Sequence, residues 1–370
     1  MKEGPPMNLS HLVSLSNRYG SNPDYVLAGG GNTSFKDERH LYVKASGTAL
    51  ADITADGFVK MDRPALERIF THAYPPDAQA RETEVLKDML DACPGNSEAT
   101  EPRRRRRPSV EALLHHILPW AYVLHIHPAM VNGMTCGKNG AGDCARLFPG
   151  AAWVGQIMPG YTLAKEVRAR VDSNTRLLFL ENHGVFIGGQ SVEEIDAAVA
   201  RMDAALDAVI ARRPDFTPCE HDSERTERFA FAIGGLCVFH TNREIMNFIS
   251  SRELFACIDP TFTPDHMVYC HDEALFLESE GDLAEKTDDY QARNGRLPKI
   301  IGLKDTGICA CGNSQQEAEI AMAMFLDALK IAVYAESFGG AKPMRGALVR
   351  EINQWEVERY RKSVSFGGGV

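Results

Sequence analysis

Hydrophobic and polar positions change period several times along this chain, and the changes predict alternating helices and strands. Leu12, Val13 and Leu15 mark the apolar side of a helix within the first ~25 residues, with Asn8 or Ser10 available as its cap. Val26-Leu-Ala-Gly-Gly-Gly-Asn-Thr-Ser34 reads as a strand entering a glycine-rich turn. A second strand at His40–Lys44 and a turn at Ala45-Ser-Gly-Thr48 follow, in hairpin fashion. The polar stretch from Pro75 to Pro108, rich in Pro and Glu, predicts a helix and a mobile loop. Helical spacing returns over Val110–Leu118, and the apolar run Ala121-Tyr-Val-Leu124 predicts a strand that ends in His125-Ile-His127. Pro159–Lys165 leads into another helix, and Arg176–Leu180 is an apolar strand that reaches His183.

Part of this pattern recurs. A shift of 123 residues lays Leu180–Ser191 over Leu303–Ser314 without a gap, so that Gly184, Gly189 and Ser191 meet Gly307, Gly312 and Ser314. Amphipathic Glu/Ala-rich helices follow both copies. Thr306 stands where His183 should recur, and His266 and His271, five apart, would point to opposite faces of a strand. The reading is a duplicated domain whose second copy has lost its metal. It divides the chain into residues 1–213 and 214–370, with the linker within Arg212–Asp222.

Composition narrows the function classes. A chain of 370 residues is long for one core, which favours two domains. A formal charge of −10 argues against nucleic acid as a partner, the run Arg103–Arg107 being a local exception that reads as a solvated loop or an anion-facing rim. No leader and no membrane-length apolar run is visible, so a cytoplasmic protein is expected. Nine scattered cysteines lack the paired spacing of a structural zinc site and read as reduced, mostly buried thiols.

The candidate chemistry lies at the histidines. On a strand, His125 and His127 project from one face, where His183 from a neighbouring strand end could join them. Three neutral imidazoles with a fourth position open describe a catalytic metal site. Each histidine alone also has an ordinary reading, as a polar pair on an exposed strand or a satisfied histidine at a turn. Glu111, opening the helix before the histidine strand, is the acid/base candidate, a task helped by a raised pKa; it could equally be a first-turn glutamate favouring the helix dipole. Ser109 is a candidate N-cap for that helix, and Gly29–Ser34 a candidate phosphate nest.

Gly31-Asn-Thr-Ser34, Lys44-Ala-Ser-Gly-Thr48, Pro108-Ser-Val-Glu111, His125-Ile-His127 and Glu181-Asn-His-Gly184 together resemble, in order and spacing, the class II aldolase/adducin family over residues 8–210. The second half, through Thr263-Pro-Asp-His266 and Ala335–Gly340, resembles the C-terminal extension in the aldolase portion of bifunctional rhamnulose-1-phosphate aldolase/short-chain dehydrogenases. The resemblance implies a three-layer α/β/α domain with a central mixed or antiparallel sheet, followed here by a degenerate second copy. It implies a divalent metal, usually zinc, on His125, His127 and His183, and Glu111 as acid/base. It also implies that Asn32, Ser46, Gly47 and Ser109 receive the phosphate of a ketose phosphate. Simpler family members have Ser-Ser-Glu where this chain has Ser-Val-Glu, which removes one phosphate contact; Lys44 could compensate, or be a solvated strand lysine. The implied reaction cleaves a ketose phosphate to dihydroxyacetone phosphate and an aldehyde through an enediolate. Epimerases and dehydratases of the family, and a non-catalytic adducin-like module, are the alternatives. Aldolases of the family place their sites at subunit interfaces in fourfold rings, so the fused pair implies a homo-oligomer, either two chains in a pseudo-fourfold ring or a tetramer.

Overall fold

The computed structural model describes residues 7–94, 106–220, 222–234 and 236–354. Arg103, Arg104 and Arg105 of the arginine run, and most of the loop expected before Pro108, lie outside these residues.

Helix α1 (Met7–Gly20) places Leu12 and Leu15 in the core; it begins before Asn8 and Ser10, so neither is its cap. The first strand starts later than the apolar pattern suggests. β1 (Asn32–Lys36) follows the three glycines instead of preceding them, and β2 (His40–Lys44) and β3 (Phe58–Asp62) add antiparallel neighbours. The reason is pairing: Asn32 to Phe35 lie against β4 (Tyr122–Ile126), which pulls the glycines into the turn that enters the strand.

Helices α2 (Arg63–Ile69), α3 (Ala78–Asp91) and α4 (Ala112–Ile117) lie between β3 and β4. After β4 come α5 (Ala129–Thr135), α6 (Gly140–Leu147), β5 (Ala152–Val154), α7 (Tyr161–Arg170), β6 (Leu177–Leu180), β7 (Gly184–Gly189) and α8 (Val192–Asp207). The sheet runs β3-β2-β1-β4-β7-β6-β5, antiparallel except for β5 beside β6, so it is mixed. Leu124, Ile126, Val185 and Ile187 pack with α1 and α8 on one face; Val123, Leu178, Leu180 and Phe186 pack with α4 and α7 on the other. A strand buried on both faces is a near-continuous apolar run. His125 within such a run is therefore a buried polar group that needs partners.

The second half contributes α9 (Ser223–Ile233), β8 (Leu236–His240), α10 (Arg243–Phe248), α11 (Arg252–Phe255), α12 (Pro264–Cys270), β9 (Leu275–Leu277), α13 (Leu283–Asn294), β10 (Ile300–Leu303), β11 (Gly307–Gly312), α14 (Gln315–Ala335) and α15 (Gly346–Gln354). Its sheet runs β8-β11-β10-β9, with the strand directions of β4-β7-β6-β5. The 123-residue shift carries β5, β6 and β7 onto β9, β10 and β11 without remainder. Matching details follow it. Asn182 and Asp305 have φ of 57° and 53° at corresponding turn positions. Ser191 and Ser314 cap the next helices by accepting from Glu194 N and Glu317 N, and those glutamates pair with Arg176 and Lys299.

His266 and His271 belong to α12 and its end, not to a strand, so the expected comparison with the histidine strand fails. The strand occupying the place of β4 is β8: Phe239 faces Cys309 as His125 faces Phe186. In that register Phe239, Thr241 and Thr306 stand where the first half has His125, His127 and His183. Thr306 is buried and donates to the carbonyl of Lys304 in its own turn.

The two halves share a core. Ala129 and Cys136 of the first pack with Phe325, Leu329 and Val333 of α14, and α5 meets α14 so closely that a Cβ on Gly133 would lie 2.4 Å from that of Tyr334. Among the described residues no helix is long and apolar enough to cross a membrane. None of the cysteines is in a disulfide, and five of the nine are buried.

Candidate active site

β4 delivers His125 into the core and His127 to its edge, and the β6–β7 turn brings up His183. Asn182 takes the left-handed conformation that lets this turn close; its amide donates to the carbonyls of Phe262 and Lys342 at 3.0 and 2.8 Å. Gly184 must be a glycine for closeness, since a Cβ there would lie 2.6 Å from both a His127 ring carbon and the Ile126 carbonyl. The His125 ring stacks on Phe186 at 3.8 Å.

The hydrogen bonds fix which nitrogens face inward. His125 Nδ1 donates to the carbonyl of Val185 at 2.9 Å, and His127 Nδ1 donates to Asp265 Oδ2 at 2.7 Å. Their Nε2 atoms face each other at 2.8 Å. In neutral imidazoles bonded in this way, both Nε2 atoms present lone pairs. Glu111 Oε1, buried and without a hydrogen bond, lies 3.3 Å from His125 Nε2 and 3.2 Å from His183 Nε2. Electron pairs converging with no proton between them repel unless a cation sits among them. A tetrahedral ion with bonds of about 2.0–2.1 Å has its ligand atoms roughly 3.4 Å apart, close to the Glu111 distances. The residues therefore fit a divalent metal. Among the described residues, these three histidines are the only group of His, Cys, Asp or Glu whose donor atoms gather so closely, all within 4.8 Å.

Burial pushes His125 down to about 4, although Glu111 opposes this, so the ring is neutral and ready as a ligand at ordinary pH. For Glu111, burial alone would raise the carboxyl; positive charge at the His125 and His183 ring nitrogens, carried by a proton or by a bound cation, opposes this and lowers it well below the usual carboxylate range. With that positive charge beside it the resting side chain is an anion, set to accept a proton.

Glu111 occupies the N-cap position of α4 but makes no side-chain cap bond; its carboxylate turns to the imidazoles instead. Ser109 lies outside the helix and is not its cap; its Oγ accepts from Glu111 N at 3.3 Å. Asn32 donates to Glu111 Oε2 at 2.6 Å and to Ser109 Oγ at 3.3 Å. Behind it, the fully buried His115 meets Asn32 Oδ1 through Nε2 and Ser34 Oγ through Nδ1, the latter at 2.7 Å. A carbonyl oxygen only accepts, so His115 Nε2–H donates to it and fixes the Asn32 amide with its NH₂ toward Glu111.

The turn after β2 is hydrogen-bonded to the segment before Glu111 through Ser46 N to Arg107 O at 2.8 Å and Ser109 N to Lys44 O at 3.0 Å. Asn32, Lys44, Ser46, Gly47, Ser109, Glu111, His127 and His183 thus line one pocket of about 320 Å³. His125 is fully buried beside it, its Nε2 2.8 Å from that of His127. Lys44 is no solvated lysine: it is buried, and Nζ donates to Thr48 O at 2.7 Å and Gly29 O at 3.4 Å, linking two loops of the pocket rim.

Residues that sequence reasoning missed are His115, Asp265, and the pocket walls Pro264, Gln316 and Ile320 from the second half. His115 was signalled by its place four residues after Glu111, one helical turn on. Asp265 lies in the Thr263-Pro-Asp-His266 motif, but nothing local ties it to His127.

The model of the class II aldolase and adducin N-terminal domain matches residues 10–209. A Bacillus subtilis (strain 168) protein named uncharacterized oxidoreductase YuxG is 22% identical over 417 residues, covering 97% of this chain and 59% of that protein. The chain thus spans less than two thirds of the length of this curated relative. Among solved structures, the chain is similar to the N-terminal class II aldolase domain of a conserved protein from Thermoplasma acidophilum, at 26% identity, 57% of this chain, 97% of that one and a TM-score of 0.47. It is also similar to an aldolase II superfamily protein from Pseudomonas syringae, at 18% identity, 56% and 77% coverage and a TM-score of 0.40.

Proposed function

The chain belongs to the class II aldolase and adducin family, and on that premise we propose that it is a metal-dependent aldehyde-lyase. Its substrate would be a ketose phosphate resembling rhamnulose 1-phosphate, cleaved to dihydroxyacetone phosphate and an aldehyde through an enediolate. The observation that carries this reading is the convergence of three imidazole Nε2 atoms and the anionic Glu111 at the end of a polar pocket. His125, His127 and His183 would hold a divalent metal, zinc by our reading, which would supply Lewis-acid chemistry for polarising the substrate carbonyl.

The chain's own groups divide the remaining work. Ser46, Gly47, Ser109 and Asn32 line the part of the pocket proposed to receive the phosphate, with Lys44 holding its rim in shape. Asn32 holds Glu111 Oε2, which leaves Oε1 directed at the histidines and at the reacting carbon beside them. As an anion, Glu111 takes the proton at that carbon in the condensation direction and returns it in cleavage. Burial of the carboxylate limits competition from water.

The proposed kin are the aldolase portions of bifunctional rhamnulose-1-phosphate aldolase/short-chain dehydrogenases; an alignment with a longer protein bearing an oxidoreductase name accords with this. The matched strand order, turn conformations and caps support reading residues 214–370 as a degenerate copy of the three-layer catalytic domain over 1–213. We propose a homo-oligomer in which two such chains form a pseudo-fourfold ring.

The test is to incubate metal-loaded protein with ketose 1-phosphates and to follow both dihydroxyacetone phosphate and the aldehyde. Release of both in equal amounts is expected. Inversion or water loss without an aldehyde would replace this reading with epimerase or dehydratase chemistry.

A further inference from the structure

We infer that Asp265, supplied by the second half of the chain, is a positioning residue for the metal centre of the first, holding His127 in the orientation and tautomer that binding requires. This rests on the proposal that the three histidines hold a metal, though not on the identity of the substrate.

His127 Nδ1 lies 2.7 Å from Asp265 Oδ2, and both side chains are largely buried. A carboxylate accepts only, so the proton resides on Nδ1 and the Nε2 lone pair is left facing His125 and His183. A negative charge at the far nitrogen also makes the ring a stronger donor to a cation, the arrangement by which outer carboxylates tune metal-bound histidines. His125, by comparison, directs its Nδ1 to the Val185 carbonyl.

Asp265 is held by the bonded start of a helix. It lies in the first turn of α12, whose cap Thr263 accepts from His266 N at 3.3 Å. His266 Nε2 reaches the buried Asp327 of α14 at 3.1 Å, and the carbonyl of Phe262, just before the cap, accepts from Asn182 in the turn that carries His183. One connected set of bonds therefore positions both His127 and His183 from the second half. On the other side, a Cβ at Gly30 would lie 3.0 Å from Asp265 Oδ2, so the glycine turn before β1 leaves room for the carboxylate.

A first-turn aspartate also favours the helix dipole. A purely helical role predicts a stability change without a selective change in metal binding, and this separates the two.

The experiment measures Zn²⁺ affinity of the full chain by competition with a chromophoric chelator, together with the melting temperature of the metal-free protein. Asp265→Asn keeps the shape of the side chain. It should lower Zn²⁺ affinity about 10–100-fold while the metal-free protein melts within a few degrees of wild type, and Asp265→Glu should restore part of the affinity. In a His127→Ala background, Asp265→Asn should have no further effect on Zn²⁺ binding, a result that holds even if the single variant loses some stability. Wild-type affinity in Asp265→Asn, or an equal loss with and without His127, would overturn the inference. A wild-type protein that binds no Zn²⁺ would instead overturn the proposed function.

Discussion

Protonation of buried histidines sets an acid limit on this fold. His116 is buried against Glu67 and Phe70, and desolvation pushes it down to about 4 despite the favourable Glu67 contact. The folded value lies below the ordinary one of about 6.5, so the unfolded chain takes up the proton first. Stability is therefore fully present above about pH 6.5 and declines as pH falls toward 4, by up to about 1.4 kcal/mol per pH unit for each such group. In metal-free protein His125 adds a similar dependence. Urea unfolding at several pH values should show the decline, and His116→Gln should make it shallower by one proton; an unchanged slope would contradict the assignment. At the same scale, Glu111→Gln should retain metal yet lose about 10²–10⁴-fold in turnover, because Gln cannot carry the proton. Wild-type turnover would remove Glu111 from the mechanism.

Among the elements, the β6–β7 turn is held by a close approach at the site itself. Gly184→Ala places a methyl against the His127 ring and the Ile126 carbonyl, which must move apart. We expect a loss of about 1–3 kcal/mol in stability and clearly weaker metal binding, seen by thermal melting with and without Zn²⁺. Wild-type behaviour in both would show that the turn can relax. The same elements show what the sequence made legible. The period-two spacing of His125 and His127 follows from local strand geometry, and the structure brings both imidazoles to one site, while the 123-residue shift visible in the sequence also carries the bounds of β5, β6 and β7 onto those of β9, β10 and β11. The start of β1 does not follow from local geometry, since pairing with β4, 90 residues away, decides it. Nor does Asp265: the spacing of His266 and His271 suggested strand faces, whereas Pro264 at the first helical position and Thr263 as cap make the segment a helix.

On the scale of the whole molecule, the two halves divide the labour. The second sheet matches the strand order and turn geometry of the first, but Phe239, Thr241 and Thr306 stand at the three positions that correspond to the histidines. What it retains is position: α14 packs on α5, and Pro264, Gln316 and Ile320 close one side of the pocket. A fragment ending at residue 213 would expose the α5 surface and lose Asp265. It should melt well below the full chain and bind Zn²⁺ more weakly, as calorimetry and chelator competition would report. A fragment matching the full chain in both would show that the halves are independent.

The claim on which the account depends is that the site generates an enediolate of dihydroxyacetone phosphate, the product common to cleavage whatever the aldehyde. Its most direct measurement is exchange of the hydroxymethyl protons of dihydroxyacetone phosphate in D₂O, followed by NMR with metal-loaded protein and no aldehyde present. One of the two protons should exchange, chelation should stop the exchange, and Glu111→Gln should abolish it. Metal-loaded protein that leaves both protons in place would contradict the claim.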